Sequence, residues 1–283
     1  MQFVLITGLS GSGKSIALNV LEDAGYFCVD NLPAALLSGL AGHLMREGHE
    51  RVAVAIDMRG GSGIAALPPQ LKQLAANQID VRIIFLDARD DVLIQRFSET
   101  RRRHPLADND TTLAEAIAGE REALATLHGL GHRIDTSNLR PNALRGMVRE
   151  FIAVEMDGHG LMLLFESFGF KHGLPLDADL VFDVRCLPNP HYDPELRPLT
   201  GRDGPVIAFL EGQPEVHKMF EDIRRFLADW LPAYERDNRS YLTVALGCTG
   251  GQHRSVYAVE WLARRFDSRY ATLLRHRELD ARE

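Results

Sequence analysis

The sequence predicts an α/β protein built of two consecutive units, the first a doubly wound parallel sheet and the second a further α/β domain. Over the first 150 residues, short β-branched runs alternate with helical periodicities, the pattern of strands joined by crossover helices. Two apolar runs, one near each end of the chain, lead through a glycine-rich turn into a helix: FVLIT-GLSGSGKS and TVAL-GCTGGQHRS. A chain of 283 residues, 45% hydrophobic and 25% charged, has the length and the apolar content for two ordinary cores.

Taken in order, residues 3–7 read as a buried strand, and the helix after the glycine turn repeats Ile16, Val20 and Ala24, with Ala17 and Leu21 beside them. Further strands are expected at 26–29, 52–56, 81–86 and 133–134. EMDGHG interrupts the pattern, so the units are expected at 1–153 and 160–283, with the boundary inside 154–160. The second unit has strand candidates at 161–165, 180–184, 206–209 and 241–246. Its clearest helix covers about 215–231, with Val216, Met219, Phe220, Ile223, Leu227, Trp230 and Leu231 as one apolar stripe expected in the core. Residues 186–205 hold five prolines and read as a long ordered loop of the kind that binds ligands. In the last helix Val256, Val259, Ala263 and Phe266 form the buried stripe.

Composition narrows the function classes. No apolar run approaches the roughly 20 residues that span a bilayer. The N-terminus MQFVLITGLS has neither a basic region nor a small-residue cleavage site, so no signal or transit peptide is expected. Cys28, Cys186 and Cys248 are too few and too scattered for a disulfide framework or a zinc site, which points to a cytoplasmic protein. A net charge of −7 repels nucleic acid and anionic membrane as a whole and leaves any such contact to a local basic patch.

Gly8-Leu9-Ser10-Gly11-Ser12-Gly13-Lys14-Ser15 fits G-x-x-x-x-G-K-[ST] and lies between a strand and a helix, as a phosphate cradle requires. Its backbone N–H groups and the helix dipole receive phosphate oxygens. Lys14 is expected to reach the β- and γ-phosphates of ATP or GTP, and the Ser15 hydroxyl to ligate Mg²⁺. The carboxylate partner of that ion is expected at a neighbouring strand end. Asp57 is the choice over Asp87 and Asp30, because Met58, Arg59 and Gly60 open a glycine-rich loop after it. Downstream, RFSETRRRHPL has the look of a P-loop kinase lid, with Arg96, Arg101 and Arg103 as its arginines. No acceptor site with a catalytic base is recognisable.

The second corner has the same grammar. Cys248, Thr249, Gly250, Gly251, His253, Arg254 and Ser255 occupy an expected helix N-terminus and match the Cys-x₅-Arg-Ser loop of cysteine phosphatases. Cys248 is either a thiolate nucleophile or a small residue packed on the strand. Gly247 stands where those enzymes carry histidine. Asp183, Arg185, Asn189 and His191 are expected on the same sheet edge, placed to bond sugar hydroxyls or an amino group.

Five segments in this order, GLSGSGKS, GYFCVDNLP, RFSETRRRHPL, DVRCLPNPHY and GCTGGQHRSV, resemble the RapZ/YvcJ family of bacterial P-loop nucleotide-binding proteins over essentially the whole chain. The resemblance implies a kinase-like N-terminal domain binding ATP or GTP through Gly8–Ser15 and 57–60. It implies a C-terminal domain binding glucosamine-6-phosphate through Asp183, Arg185, His191, Thr249, Gly250, His253 and Arg254. It also implies a cytoplasmic, self-associating adapter that presents a regulatory small RNA to endoribonuclease E, or else to a signalling protein, with weak nucleotide hydrolysis at most. RNA contact in the family uses a lysine-rich C-terminal segment. Here the last twenty residues have no lysine and six arginines against four acids, a net +2, so the candidates are Arg264, Arg265, Arg269, Arg275, His276, Arg277 and Arg282. A small-molecule kinase acting on a phosphorylated metabolite, and a plain ATPase or GTPase switch, stand as the alternatives.

Overall fold

The computed structural model describes residues 1–57, 66–107, 110–127, 129–153, 161–237, 239, 241–266 and 268–280. The chain divides into two compact units, Met1–Arg149 and Glu150–Glu283. Residues 154–160, where the sequence pattern breaks, lie outside the described residues, and so do Met58, Arg59, Gly60 and Arg282.

The first unit runs β1 (Gln2–Gly8), α1 (Lys14–Asp23), β2 (Phe27–Val29), α2 (Leu37–Arg46), β3 (Arg51–Ala55), α3 (Leu67–Ala76), β4 (Asp80–Asp87), α4 (Asp90–Thr100), α5 (Leu113–Leu124) and β5 (His132–Asp135), and α6 (Pro141–Ala153) begins in it. The five strands are parallel in the order β2-β3-β1-β4-β5. β1 lies at the centre, hydrogen-bonded on both edges, and Phe3, Val4, Leu5 and Ile6 are fully buried. A strand covered on both faces has no polar side, which is why FVLIT reads as an unbroken apolar run. Parallel strands joined by crossovers bring every carboxyl end to one edge, and the glycine loop leaves β1 at that edge.

The second unit holds β6 (Met162–Gly169), β7 (Leu180–Asp183), α7 (Gly204–Glu211), α8 (Pro214–Arg236), β8 (Tyr241–Cys248), α9 (Arg254–Phe266), β9 (Ala271–His276) and α10 (Arg277–Asp280). Its four strands are parallel in the order β7-β8-β6-β9. Val216, Phe220, Ile223, Leu227 and Leu231 of α8 share one core with Tyr257, Val259, Leu262 and Phe266 of α9 over this sheet.

Three expectations change. Residues 206–209 form part of α7 rather than a strand: Pro205 opens the helix, and Val206 and Leu210, four apart, are both fully buried. Trp230 is not in the core; it is 55% exposed on the outer side of α8 beside Phe226. The arginine-rich C-terminal segment includes a strand, β9, and a short helix, α10. β9 pairs with β6 from Met162↔Ala271 to Ser167↔His276, and its two basic residues, Arg275 and His276, are its buried ones.

Candidate functional site

At the first corner Gly8, Gly11 and Gly13 adopt positive φ (130°, 85° and 109°). A Cβ on Gly8 would lie 2.0 Å from the carbonyl oxygen of Leu86, so only glycine lets the loop leave the strand there. Ser12 closes the turn, its hydroxyl donating to the Leu9 carbonyl at 2.6 Å. Lys14 donates through Nζ to the carbonyls of Gly8 (2.6 Å) and Leu9 (3.2 Å), across the mouth of the loop. Ser15, in the first turn of α1, is exposed. Asp57 follows β3, directly beside β1, and is 8% exposed.

Asp87 is a different kind of residue. It is fully buried, accepts from Arg121 Nη1 at 2.9 Å and from Arg133 Nε at 3.1 Å, and its Oδ1 takes the Ala88 N–H at 2.7 Å. Two guanidinium groups spend its lone pairs. Asp30 is exposed and caps its own turn, accepting the Asn31 N–H at 2.8 Å.

Arg96 does not project as a lid arginine. Its Nη1 donates to the Gly11 carbonyl (3.0 Å) and Thr136 Oγ1 (3.1 Å), and its Nη2 to the Thr136 carbonyl (2.6 Å). Burial pushes its pKa below the usual arginine value. It ties the phosphate loop to the end of β5. Beside that tie lies a pocket of about 170 Å³ lined by Gly11–Gly13, Ile16, Arg96, Thr136, Leu139, Arg140, Pro141 and Leu144. Its apolar wall, from the turn into α6, was not legible in advance, because Leu139, Pro141 and Leu144 read as ordinary helix-start residues.

At the second corner β8 ends in Cys248 and α9 starts at Arg254. Gly251 has φ 67°, and a Cβ on Gly169 at the end of β6 would lie 2.7 Å from the Gly250 backbone, so strand end and loop touch main chain to main chain. Gly247 has a packing reason: a Cβ there would lie 2.4 Å from the Phe168 ring and 2.5 Å from the Phe170 ring. Cys248 is 3% exposed beneath the loop, its Sγ 3.1 Å from Ser255 Oγ.

Arg254 is 4% exposed. Its Nη1 donates to the carbonyls of Arg185 (2.7 Å) and Leu187 (2.9 Å), and Nη2 lies 3.4 Å from Thr249 Oγ1. Nε is buried and has no hydrogen-bond partner among the described residues. The guanidinium thus staples the loop after β7 to the glycine turn and keeps one donor unspent. Asp183 and Arg185 form a forked pair, Nη2–Oδ2 at 2.7 Å, half exposed, with the guanidinium 3.9 Å over the Phe170 ring. Hydrogen bonds from Arg185 hold the Asp183 carboxyl below the ordinary carboxylate range. His191 is exposed and its ring lies 6.3 Å from that of His253. Asn189 Oδ1 accepts the His191 N–H at 3.3 Å. His253 is buried, its Nε2 donating to the Leu196 carbonyl at 3.2 Å, and burial lowers its pKa. Thr249 is exposed.

Gln252 and Gly201 went unnoticed in the sequence. Gln252 Nε2 donates to the Leu199 carbonyl at 2.7 Å and its own carbonyl accepts the Gly201 N–H at 2.9 Å, laying the proline-rich loop against the turn. Their signal was weak, a single amide and one of many loop glycines.

Of the basic C-terminal residues, Arg264, Arg265 and Arg269 are exposed. Arg275, His276 and Arg277 are not available to an outside phosphate chain: they are 3%, 1% and 3% exposed. Arg275 pairs with Asp177 at 2.9 Å, His276 Nδ1 lies 2.8 Å from Ser167 Oγ, and Arg277 Nη2 donates to the Gly173 carbonyl at 2.6 Å.

A parallel sheet in this order, with a G-x-x-x-x-G-K-S turn after its central strand, defines the first unit as a P-loop kinase-like α/β domain. The chain belongs to the RapZ family: residues 1–156 match the RapZ-like N-terminal domain and residues 161–280 the RapZ C-terminal domain. It is 68% identical over 277 residues to a nucleotide-binding protein of Azoarcus sp. (98% of this chain, 94% of the other). It is 66% identical over 277 residues to one of Aromatoleum aromaticum, with the same coverage. One of Nitrosomonas europaea is 63% identical over 279 residues, 99% of this chain and 96% of the other. Among solved structures, shikimate kinase from Acinetobacter baumannii in complex with shikimate matches 53% of this chain and 92% of its own at 15% identity and a TM-score of 0.40.

Proposed function

We propose that this protein is a nucleotide-binding regulatory adapter whose second unit senses an amino-sugar phosphate and whose output is a regulatory small RNA handed to an endoribonuclease. The observation that carries the first half is the corner at Gly8–Ser15, where positive-φ glycines, Lys14 and the start of α1 converge beside a pocket with an apolar wall. A triphosphate on the loop directs its base toward Leu139, Pro141 and Leu144, an apolar slot for a flat ring. The relatives named as nucleotide-binding proteins support this reading. The Ser15 hydroxyl in the first turn of α1 and the Asp57 carboxylate just after β3 are hard oxygen donors of the kind Mg²⁺ takes, and they would hold it. When bound, that ion supplies charge neutralisation between the phosphates.

The second half rests on Thr249–Arg254. The exposed Thr249, the turn amides and the start of a 13-residue helix suit a phosphate, while the half-exposed Asp183–Arg185 pair suits hydroxyl and ammonium groups of a sugar. By family resemblance the ligand is glucosamine-6-phosphate. The buried, stapling Arg254 and the buried Cys248 support a sensor rather than a cysteine phosphatase. Weak ATP or GTP hydrolysis, a cytoplasmic location and self-association complete the reading. Surface RNA contact falls to Arg264, Arg265 and Arg269.

Calorimetry with Mg·ATP, Mg·GTP and, separately, glucosamine-6-phosphate tests it on the wild type, Lys14→Ala and Thr249→Ala. Each substitution should abolish one class of ligand and spare the other. A wild type blind to every sugar phosphate ends the sensor reading, and phosphoryl transfer to a sugar at ordinary kinase rates replaces the adapter with an enzyme.

A further inference from the structure

The turn that opens the phosphate loop is held by a buried carboxylate from another helix. Glu120 of α5 accepts the Ser10 N–H through Oε2 and the Ser10 hydroxyl through Oε1, both at 2.8 Å. The same Oε2 lies 3.1 Å from His104 Nε2, and the side chains of both Glu120 and His104 are fully buried. The His104 tautomer follows from its other nitrogen: Nδ1 accepts the Leu106 N–H at 3.2 Å, so Nε2 carries the proton and donates to Glu120. Three donors converge on one carboxylate 110 residues away in sequence from Ser10.

His104 ends the run Arg101-Arg102-Arg103, whose side chains are exposed. The run starts where α4 stops, at Arg101 in the left-handed conformation (φ 51°). One turn earlier, Phe97 lies against the loop, and a Cβ on Gly11 would sit 3.3 Å from its ring. The three arginines are therefore fastened at both ends to the phosphate loop, through Phe97 to Gly11 and through His104 and Glu120 to Ser10.

We propose that Glu120 and His104 are positioning residues that hold the Arg101–Arg103 run at the triphosphate end of a nucleotide on the Gly8–Ser15 loop. The proposal rests on the nucleotide reading above. Glu120 Oε2 accepts from both the Ser10 N–H and His104 Nε2, so one oxygen couples the loop to the residue that ends the arginine run. A buried charged-group hydrogen bond also resists the loosening that would let three like charges drift apart into solvent.

The test is equilibrium binding of Mg·ATPγS and Mg·ADP to the full chain. The variants are His104→Ala, His104→Gln, the triple alanine variant of Arg101, Arg102 and Arg103, and that triple variant combined with His104→Ala. The arginines act on the terminal phosphate, so the triple variant should lower the preference for ATPγS over ADP about tenfold, the loss of about one charged hydrogen bond. His104→Ala should lower it similarly, and His104→Gln, whose amide still donates to Glu120, should restore most of it. The combined variant should match the triple variant within about twofold, since residues acting through one another are not additive. Equal weakening of both nucleotides by His104→Ala, an unchanged preference in the triple variant, or a further loss in the combined variant overturns the proposal. Should His104→Ala fail to fold, the triple variant and His104→Gln decide it: a preference unchanged in the triple variant, or lost in His104→Gln, overturns it. A folded wild type that binds neither nucleotide removes the nucleotide reading itself and the positioning role with it; binding with an unaltered preference removes the positioning role alone.

Discussion

The guanidinium of Arg254 donates to the carbonyl oxygen of Leu187 at 2.9 Å, from the first residue of α9 to the loop that follows β7. The same nitrogen reaches the Arg185 carbonyl at 2.7 Å, so one side chain fixes the distance between the glycine turn and the Asp183–Arg185 pair. A charged group bonded to buried carbonyls is worth about 1.5–3 kcal/mol, and its removal leaves those carbonyls without partners. Arg254→Lys keeps the charge and loses the fork. We expect it to cost about 2 kcal/mol of stability in denaturant melts and at least about tenfold in sugar-phosphate affinity by calorimetry. Full affinity in a destabilised Arg254→Lys protein would show that the fork serves folding alone.

Asp57 and Asp87 both stand at strand ends, and their surroundings differ: Asp87 is spent on two arginines, while Asp57 is the metal ligand of the proposed function. Asp87→Asn removes the buried charge that Arg121 and Arg133 both meet, leaving Arg121 with Asp90, and breaking such a buried pair costs about 3–5 kcal/mol. Mg-dependent nucleotide affinity, measured on the folded fraction, should hardly change. Asp57→Asn should do the reverse, leaving stability within about 1 kcal/mol and lowering Mg·ATP affinity about a hundredfold, with little effect on metal-free binding. Melting curves with and without Mg·ATP distinguish the two, and a swap of these outcomes would move the metal ligand to Asp87.

What the sequence disclosed and what it hid have physical causes. The two corners were legible because a buried parallel strand, a glycine turn and an amphipathic helix each leave a local signature. Gly8 needs positive φ, β1 is apolar throughout, and α9 buries Val256, Val259 and Ala263 on one face. Gly247 was read as a departure from phosphatases, and its cause, the Phe168 and Phe170 rings, is a contact between strands that no local pattern records. β9 was hidden because Arg275 is neutralised by Asp177, nearly a hundred residues away, so a basic strand interior looked like a solvated tail. The 206–209 run failed for the opposite reason: four apolar residues fit a strand or a buried helix turn equally well.

His253 and His276 make the second unit sensitive to acid. Burial lowers both pKa values in the folded state; His191 adds to the shift at His253, and Arg202 opposes charge at His276, where Glu260 and Asp280 favour it. An unfolded histidine titrates near about 6.5. Between that value and the lowered folded pKa the unfolded chain binds more protons, so stability is complete above about pH 6.5 and is lost as pH falls through the window. Urea midpoints between about pH 5 and pH 8 should show this slope, and His276→Gln should flatten it. A midpoint whose pH dependence is identical in His276→Gln and the wild type would rule out a contribution from that histidine.

Polyanion binding should follow exposure rather than arginine content. Arg264 and Arg265 lie on the outer side of α9, with the Arg265 guanidinium stacked 3.3 Å from the Trp261 ring centre, whereas Arg275 is sealed against Glu166 and Asp177. A side chain that contacts a phosphate releases about one counterion, so the salt dependence of binding counts such contacts. Arg264→Ala and Arg265→Ala should each weaken binding of a hairpin RNA and reduce the slope of log affinity against log salt by about one. Arg275→Gln should instead lower stability by several kcal/mol, about 3–5 for a broken buried pair, through two uncompensated carboxylates. The folded Arg275→Gln protein should keep the wild-type salt slope, because a guanidinium in the interior has no counterion to release. A reduced slope in that variant, measured by gel shift on the folded fraction, would mean that β9 opens to meet the RNA.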